Sequence, residues 1–133
     1  MTPDRNPASE QPALATLDAF MAAFNRRDCR AVAAALNFPH VRLAGGRVAV
    51  FATADGFVRA REAVGTSALE AGWGRSAWDA REVIHSGADK VHLAVQFTRY
   101  AADGRPLASY RSLWIVILVD GHWGVQAPSS FAP

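Results

Sequence analysis

The feature that most constrains this chain is its C-terminal half, where four strand-like segments follow one another with only turn chemistry between them. Trp78 to His85, Val91 to Tyr100, Leu107 to Val119 and His122 to Ala127 alternate or run apolar, and SGAD, ADG and Asp120-Gly121 join them. Connections this short allow only antiparallel neighbours. A two-residue turn at Asp120-Gly121 sets Leu118 opposite Trp123, Val116 opposite Val125 and Trp114 opposite Ala127. A two-residue turn at Asp103-Gly104 sets Phe97 opposite Tyr110, Val95 opposite Ser112 and Leu93 opposite Trp114. Opposed residues share a face. Two independent turns and the period-2 pattern therefore place Val91, Leu93, Val95, Phe97, Tyr110, Trp114, Val116, Trp123 and Val125 on one side, the core face.

The other side of this sheet is unusual. It carries Leu113, Ile115 and Ile117 in one row, with Arg111, Gln96, Thr98, His92 and Gln126 around them. A sheet covered on one side only is mostly polar on the other. An aliphatic row with a polar rim marks a second buried surface, and the expectation is a homodimer packed through Arg111, Leu113, Ile115, Ile117 and Gln126.

The N-terminal half supplies what covers the core face. Leu14, Leu17, Met21 and Phe24 recur at helical spacing from Pro12 to Arg27. Asp28 caps a shorter helix containing Val32 and Leu36, which Pro39 ends. Val41 to Ala44 and Arg47 to Phe51 form a hairpin about Gly45-Gly46. Thr53 caps a third helix carrying Phe57, Ala60, Val64 and Ala68, stopped at Gly72 and Gly74. The predicted class is α+β: three N-terminal helices packed on a strongly curved, mixed or antiparallel sheet. The polar, proline-rich residues 1–11 read as a flexible tail and 12–133 as one domain, which suits a chain of 133 residues.

Composition removes several functions. The formal charge is +2, and thirteen Arg against one Lys are scattered rather than clustered, so no nucleic-acid partner is expected. The longest apolar run, Leu113 to Val119, is too short to span a membrane. The N-terminus lacks a signal-type apolar stretch, and the predicted location is cytoplasmic. One cysteine, Cys29, excludes an internal disulfide and reads as a buried, inert thiol. His85, His92 and His122 form no recognisable metal set. No phosphate loop, dinucleotide fingerprint or nucleophile elbow occurs, so neither metal nor other cofactor is predicted.

The order helix, short helix, hairpin, helix and long meander, over about Pro12 to Ala127, resembles the nuclear transport factor 2-like superfamily with its cystatin-like fold and SnoaL-like members. The stretches NFPHVRLAGGRVAVF, QFTRYAADG, SYRSLW and DGHWGVQAPSSFA look most like its uncharacterised bacterial members. The resemblance implies a cone whose sheet wraps the long helix, a pocket at the open end, and dimers through the sheet. It implies no reaction, since this fold hosts isomerases, cyclases, dehydratases and plain binding subunits. Ketosteroid isomerase-like members use a carboxylate base near the end of the first strand. That strand ends Arg42-Leu43-Ala44 here, with no acidic residue between Asp28 and Asp55, so their mechanism does not carry over.

Three candidates for chemistry remain: His40, Glu82 and Tyr110. An even SGAD loop puts Glu82 on the core face with Ala80 and Trp78, where its carboxyl would have a raised pKa and serve as acid or base. An odd loop turns Glu82 to solvent and Val83 inward, and the cost of a buried, unpaired carboxylate favours this arrangement. His40 and Arg42 share one face of the first hairpin, opposite Phe51 and Ala49, and together suit an anionic or carbonyl group. The more apolar set, Val41, Leu43, Val48 and Val50, argues that they point away from the core, although strands at a cone mouth can break that rule. Trp78, Phe97, Trp114 and Trp123 are predicted to line a pocket for a small apolar or ring-containing molecule, with the Tyr110 hydroxyl as a donor to a carbonyl. Trp73, in AGWGRS, reads as a lid or a surface anchor. The function classes left open are a small-molecule-binding cone protein, a SnoaL-like isomerase, cyclase or dehydratase, and an interaction module using the outer sheet face.

Overall fold

A computed structural model describes residues 5–133. The two shorter helices start where side chains can replace missing backbone partners. Asp28 accepts a hydrogen bond from the Ala31 N–H at 3.0 Å and begins α2 (Cys29–Ala34). Thr53 accepts from the Gly56 N–H at 3.1 Å and begins α3 (Ala54–Val64). The long helix α1 (Pro7–Asn25) starts before the expected Pro12. Proline is tolerated in a first helical turn, and here Pro7 occupies that place while Pro12 lies inside the helix. Its first turns are held by polar contacts that no apolar periodicity announces: Ser86 Oγ donates to Glu10 at 2.6 Å, and Ser9 Oγ to the Ala88 carbonyl at 3.2 Å. Residues 7–11 are therefore helix rather than tail, and 1–4 lie outside the described residues.

Six strands follow the order β2-β1-β6-β5-β4-β3: β1 (His40–Ala44), β2 (Arg47–Phe51), β3 (Trp73–Ser86), β4 (Lys90–Ala101), β5 (Pro106–Val119) and β6 (His122–Ser130). The sheet is mixed, because β1 meets β6 in parallel at Leu43 and Ser129, while the other pairs are antiparallel. The expected pairs Leu93–Trp114, Val95–Ser112, Phe97–Tyr110, Val116–Val125 and Leu118–Trp123 are all present. Helix α1 lies in the concave face, where Leu17, Val91, Leu93, Val116 and Val125 are completely or almost completely buried. The segment that follows α2 packs tightly on β6 at Gly124, where a Cβ would stand 2.6 Å from Asn37 Oδ1 and 2.7 Å from the Leu36 backbone.

Two of the bulges in the sheet bear on the predicted site residues. One between Ile115 and Val116 leaves Gln126 unpaired, so Trp114 faces Pro128 rather than Ala127. Gln126 thereby loses Ile115 as its partner, and its amide donates to the Pro39 carbonyl at the exposed surface. The bulge also carries β6 past Ala127 to Ser130 and turns Pro128 and Ser130 inward. The second, between Trp78 and Ala80, shifts the alternation of β3. Trp78, Arg81 and Val83 then pair with Phe97, Val95 and Leu93, while Glu82 is exposed on the outer face. Trp73 begins β3, is 8 % exposed, and donates its indole N–H to Ser76 at 2.9 Å, so it is neither a lid nor a surface anchor. Cys29 is half-buried against the core. Among the described residues no helix is long and apolar enough to cross a membrane.

Candidate functional site

The curved sheet and α1 do not fill the open end of the cone. A cavity of about 150 Å³ remains there, lined by Phe20, Trp78, Phe97 and Trp114 together with His40, Arg42, Arg61 and Arg99. Its position follows from the chain. β4 runs Val91, Leu93, Val95, Phe97 and Arg99 along the inner face, so one row passes from aliphatic core to aromatic wall to cation. Trp114 meets Phe20 edge-on at 4.8 Å and Trp78 at 5.1 Å between ring centres, which fixes the aromatic wall.

The first hairpin faces the opposite way from its apolar pattern. His40, Arg42, Ala49 and Phe51 point inward, and Val48 and Val50 are 68 % and 61 % exposed. The inner residues win because their neighbours are aromatic: Phe38, Phe51 and Phe57 surround the His40 ring at 6.1–6.5 Å or less of one another and of it. His40 is 3 % exposed, and its Nδ1 lies 2.9 Å from the Val125 carbonyl. Burial pushes its pKa below the usual value, although that carbonyl pulls the other way. A neutral ring with Nδ1–H donating to Val125 satisfies both facts and leaves Nε2 as an acceptor toward the cavity.

The cations are of two kinds. Arg99, 6 % exposed, donates through Nη1 to Glu70 at 2.8 Å. Glu70 also accepts from the Tyr110 hydroxyl. Burial raises the Glu70 pKa, but the hydrogen bonds from Tyr110 and Arg99 outweigh it and hold the carboxyl below its ordinary range. The same bond, with burial, raises the Tyr110 pKa. Arg42 and Arg61 have no carboxylate partner among the described residues, and no acidic side chain lines the cavity. Burial lowers the pKa of both, and for Arg42 the charges of Arg61 and Arg99 lower it further. Two buried side-chain atoms lack any partner: Arg99 Nε and Trp114 Nε1. Both side chains line the cavity. Buried polar atoms are normally paired, so two orphans among the described residues, both on cavity-lining side chains, are exceptional.

Of the expected site residues, the structure brings His40, Trp78, Phe97 and Trp114 together. Glu82 is outside, moved by the β3 bulge. Tyr110 is not in the cavity wall, and its hydroxyl is spent on Glu70. Trp123 sits at the closed end of the cone against the core rather than at the cavity. Glu70, Arg61 and Arg99 were not anticipated. Arg99 had a signal, as the next residue in the row Val91, Leu93, Val95, Phe97. Arg61 and Glu70 had none, because their roles depend on where α3 and the loop after it fold back.

On the outer face, Arg111, Leu113, Ile115 and Ile117 stand as read. Leu113 is 41 % exposed, and Leu43, Val48 and Val50 extend the apolar surface along β1 and β2.

Solved structures share this architecture. A protein of unknown function with a cystatin-like fold from Nostoc punctiforme has a TM-score of 0.80 at 10 % identity, covering 98 % of this chain and 95 % of its own. A ketosteroid isomerase-like protein from Erwinia carotovora atroseptica has a TM-score of 0.67 at 23 % identity, covering 91 % and 93 %. An NTF2-like protein of unknown function from Shewanella oneidensis has a TM-score of 0.73 at 13 % identity, covering 92 % and 98 %. At these identities the likeness is one of fold. None of the curated proteins matches the chain in sequence. A family model described as NTF2-like protein (DUF6841) matches residues 9–129, and the chain belongs to that family.

Proposed function

We propose that this protein binds a small ring-containing molecule in the open end of its cone. The observation that carries this reading is the cavity of about 150 Å³ whose walls leave Arg99 Nε and Trp114 Nε1 unpartnered. A cavity of about that size holds a single benzene ring when apolar. The aromatic wall supplies the stacking surface, and the polar side supplies the few groups that fix orientation. Trp78 and Trp114 report occupancy directly. A panel of one-ring compounds is expected to change their fluorescence and raise the unfolding temperature together. If no compound of the panel does either, the cavity is not a binding site.

A catalytic reading of SnoaL-like type rests on His40 alone, since Glu82 and Tyr110 are not at the cavity. Its neutral Nε2 suits a general base. The position that a carboxylate base would take on the first strand is held instead by Arg42, which favours binding over isomerisation.

The exposed aliphatic surface of Leu43, Val48, Val50 and Leu113, continuous with Ile115 and Ile117, supports a homodimer through the outer sheet face. Light scattering of the wild type at micromolar concentration is expected to give twice the chain mass, and Leu113→Glu the chain mass. A wild-type monomer removes this reading.

A further inference from the structure

The cavity lining combines aromatic rings with cations, and the combination names the ligand. Arg42, Arg61 and Arg99 converge from β1, α3 and β4, and Arg42 feels the charges of the other two. Glu70 answers one of them, at 2.8 Å from Arg99. The balance left at the site is three cations less one carboxylate, about two positive charges with no acidic side chain in the wall. Half-buried guanidinium groups without partners are costly, and an anion that enters with them removes that cost. Guanidinium pairs best with a planar carboxylate, through two parallel N–H···O bonds. The same lining carries the aromatic rings of Phe20, Trp78, Phe97 and Trp114 and leaves room for about one ring.

We infer that the cavity binds a one-ring carboxylic acid as its anion, with the carboxylate on Arg42 and Arg61 and the ring against Trp78 and Trp114. This inference rests on the cavity being a ligand site, and it adds the charge and size of the ligand. Arg99, held by Glu70, lines the same space. His40 Nε2, an acceptor, is placed for a hydroxyl or amino substituent on the ring. A groove between α1–α2 and the segment after α3 shares Phe24, Val32, Phe57, Arg61 and Leu69 with the cavity, so Arg61 stands between the two spaces.

The test compares acids with uncharged isosteres on the wild-type protein, using tryptophan fluorescence. Benzoate and phenylacetate are expected to bind at least about tenfold more tightly than benzamide and phenylacetamide, the difference that charged hydrogen bonds contribute. Acetate and inorganic phosphate, which have no ring, are expected to bind at least about tenfold more weakly than benzoate. In Arg42→Gln and Arg61→Gln, checked for folding by circular dichroism, the acid-to-amide ratio falls to about twofold or less while amide binding persists. Equal binding of acids and amides overturns the anion assignment and leaves the cavity as a ligand site. Phosphate matching benzoate overturns the ring assignment. Failure of every ring compound, charged or not, overturns both this inference and the binding function.

Discussion

The two ends of the cone use one continuous inner surface in opposite ways. At the closed end, Leu17, Val91, Leu93, Val116 and Val125 are completely or almost completely buried and aliphatic. At the open end, the same strands present Phe97, Trp114 and Arg99, and a cavity stays unfilled. Close-packed apolar side chains stabilise a fold, whereas a void and unpaired guanidinium groups do not. The difference separates a close-packed, stabilising end from the end proposed above to bind a ligand. The polar mouth is retained at some loss of stability, as is common at functional sites.

The largest effect expected from this contrast is at the closed end. Leu93→Ala should cost about 3 kcal/mol of unfolding free energy, because it leaves a cavity in a packed core. Met21→Ala, at the cavity wall, should cost less than half as much, since its neighbours already border a void. Urea denaturation measures both, and equal losses would break the distinction between the ends.

A smaller effect concerns pH. His40 is buried and neutral at the mouth, with its pKa lowered from 6.5 by desolvation. The unfolded chain therefore takes up a proton at a higher pH than the folded one. The contribution of His40 is complete above about pH 6.5 and is lost as pH falls toward the folded value. His92 on the outer face is shifted in the same direction, mainly by burial, and adds to the same window. Wild-type stability should fall more steeply between pH 7.5 and 5.5 than that of His40→Gln. Parallel curves would show that the ring is not held neutral.

The fold was legible because turn chemistry and period-2 alternation agreed. Asp120-Gly121 sets the register of β5 and β6 correctly up to the bulge between Ile115 and Val116, and the pairs read from Asp103-Gly104 hold on the far side of a bulge between Arg99 and Tyr100. Beyond the β5–β6 bulge the reading lost parity, and so Gln126 and Trp114 acquired other partners than expected. No residue type at Asp79 or Gln126 announces a bulge. The β3 bulge left the two facings of Glu82 to be decided by the burial cost of a carboxylate, and that argument gave the correct side. The hairpin failed for a different reason. Apolarity put Val48 and Val50 inside, but an exposed outer face and a polar cavity reverse the usual rule, so His40 and Arg42 point in. Much of the site's chemistry was therefore hidden by pattern reasoning that holds at the closed end and fails at the open one. Arg61 and Glu70 required the tertiary fold.

The smallest effect bears most directly on the central claim, that the cations at the mouth serve a ligand rather than the fold. Arg42→Met keeps the apolar stem and removes a charge that has no carboxylate partner. The decisive measurement is the unfolding free energy of this variant and of the wild type, in ligand-free buffer at pH 7.5. The account predicts that Arg42→Met is at least as stable as the wild type, by a gain of up to about 1 kcal/mol. A loss of about 1 kcal/mol or more would make Arg42 part of the fold's own support and contradict the account.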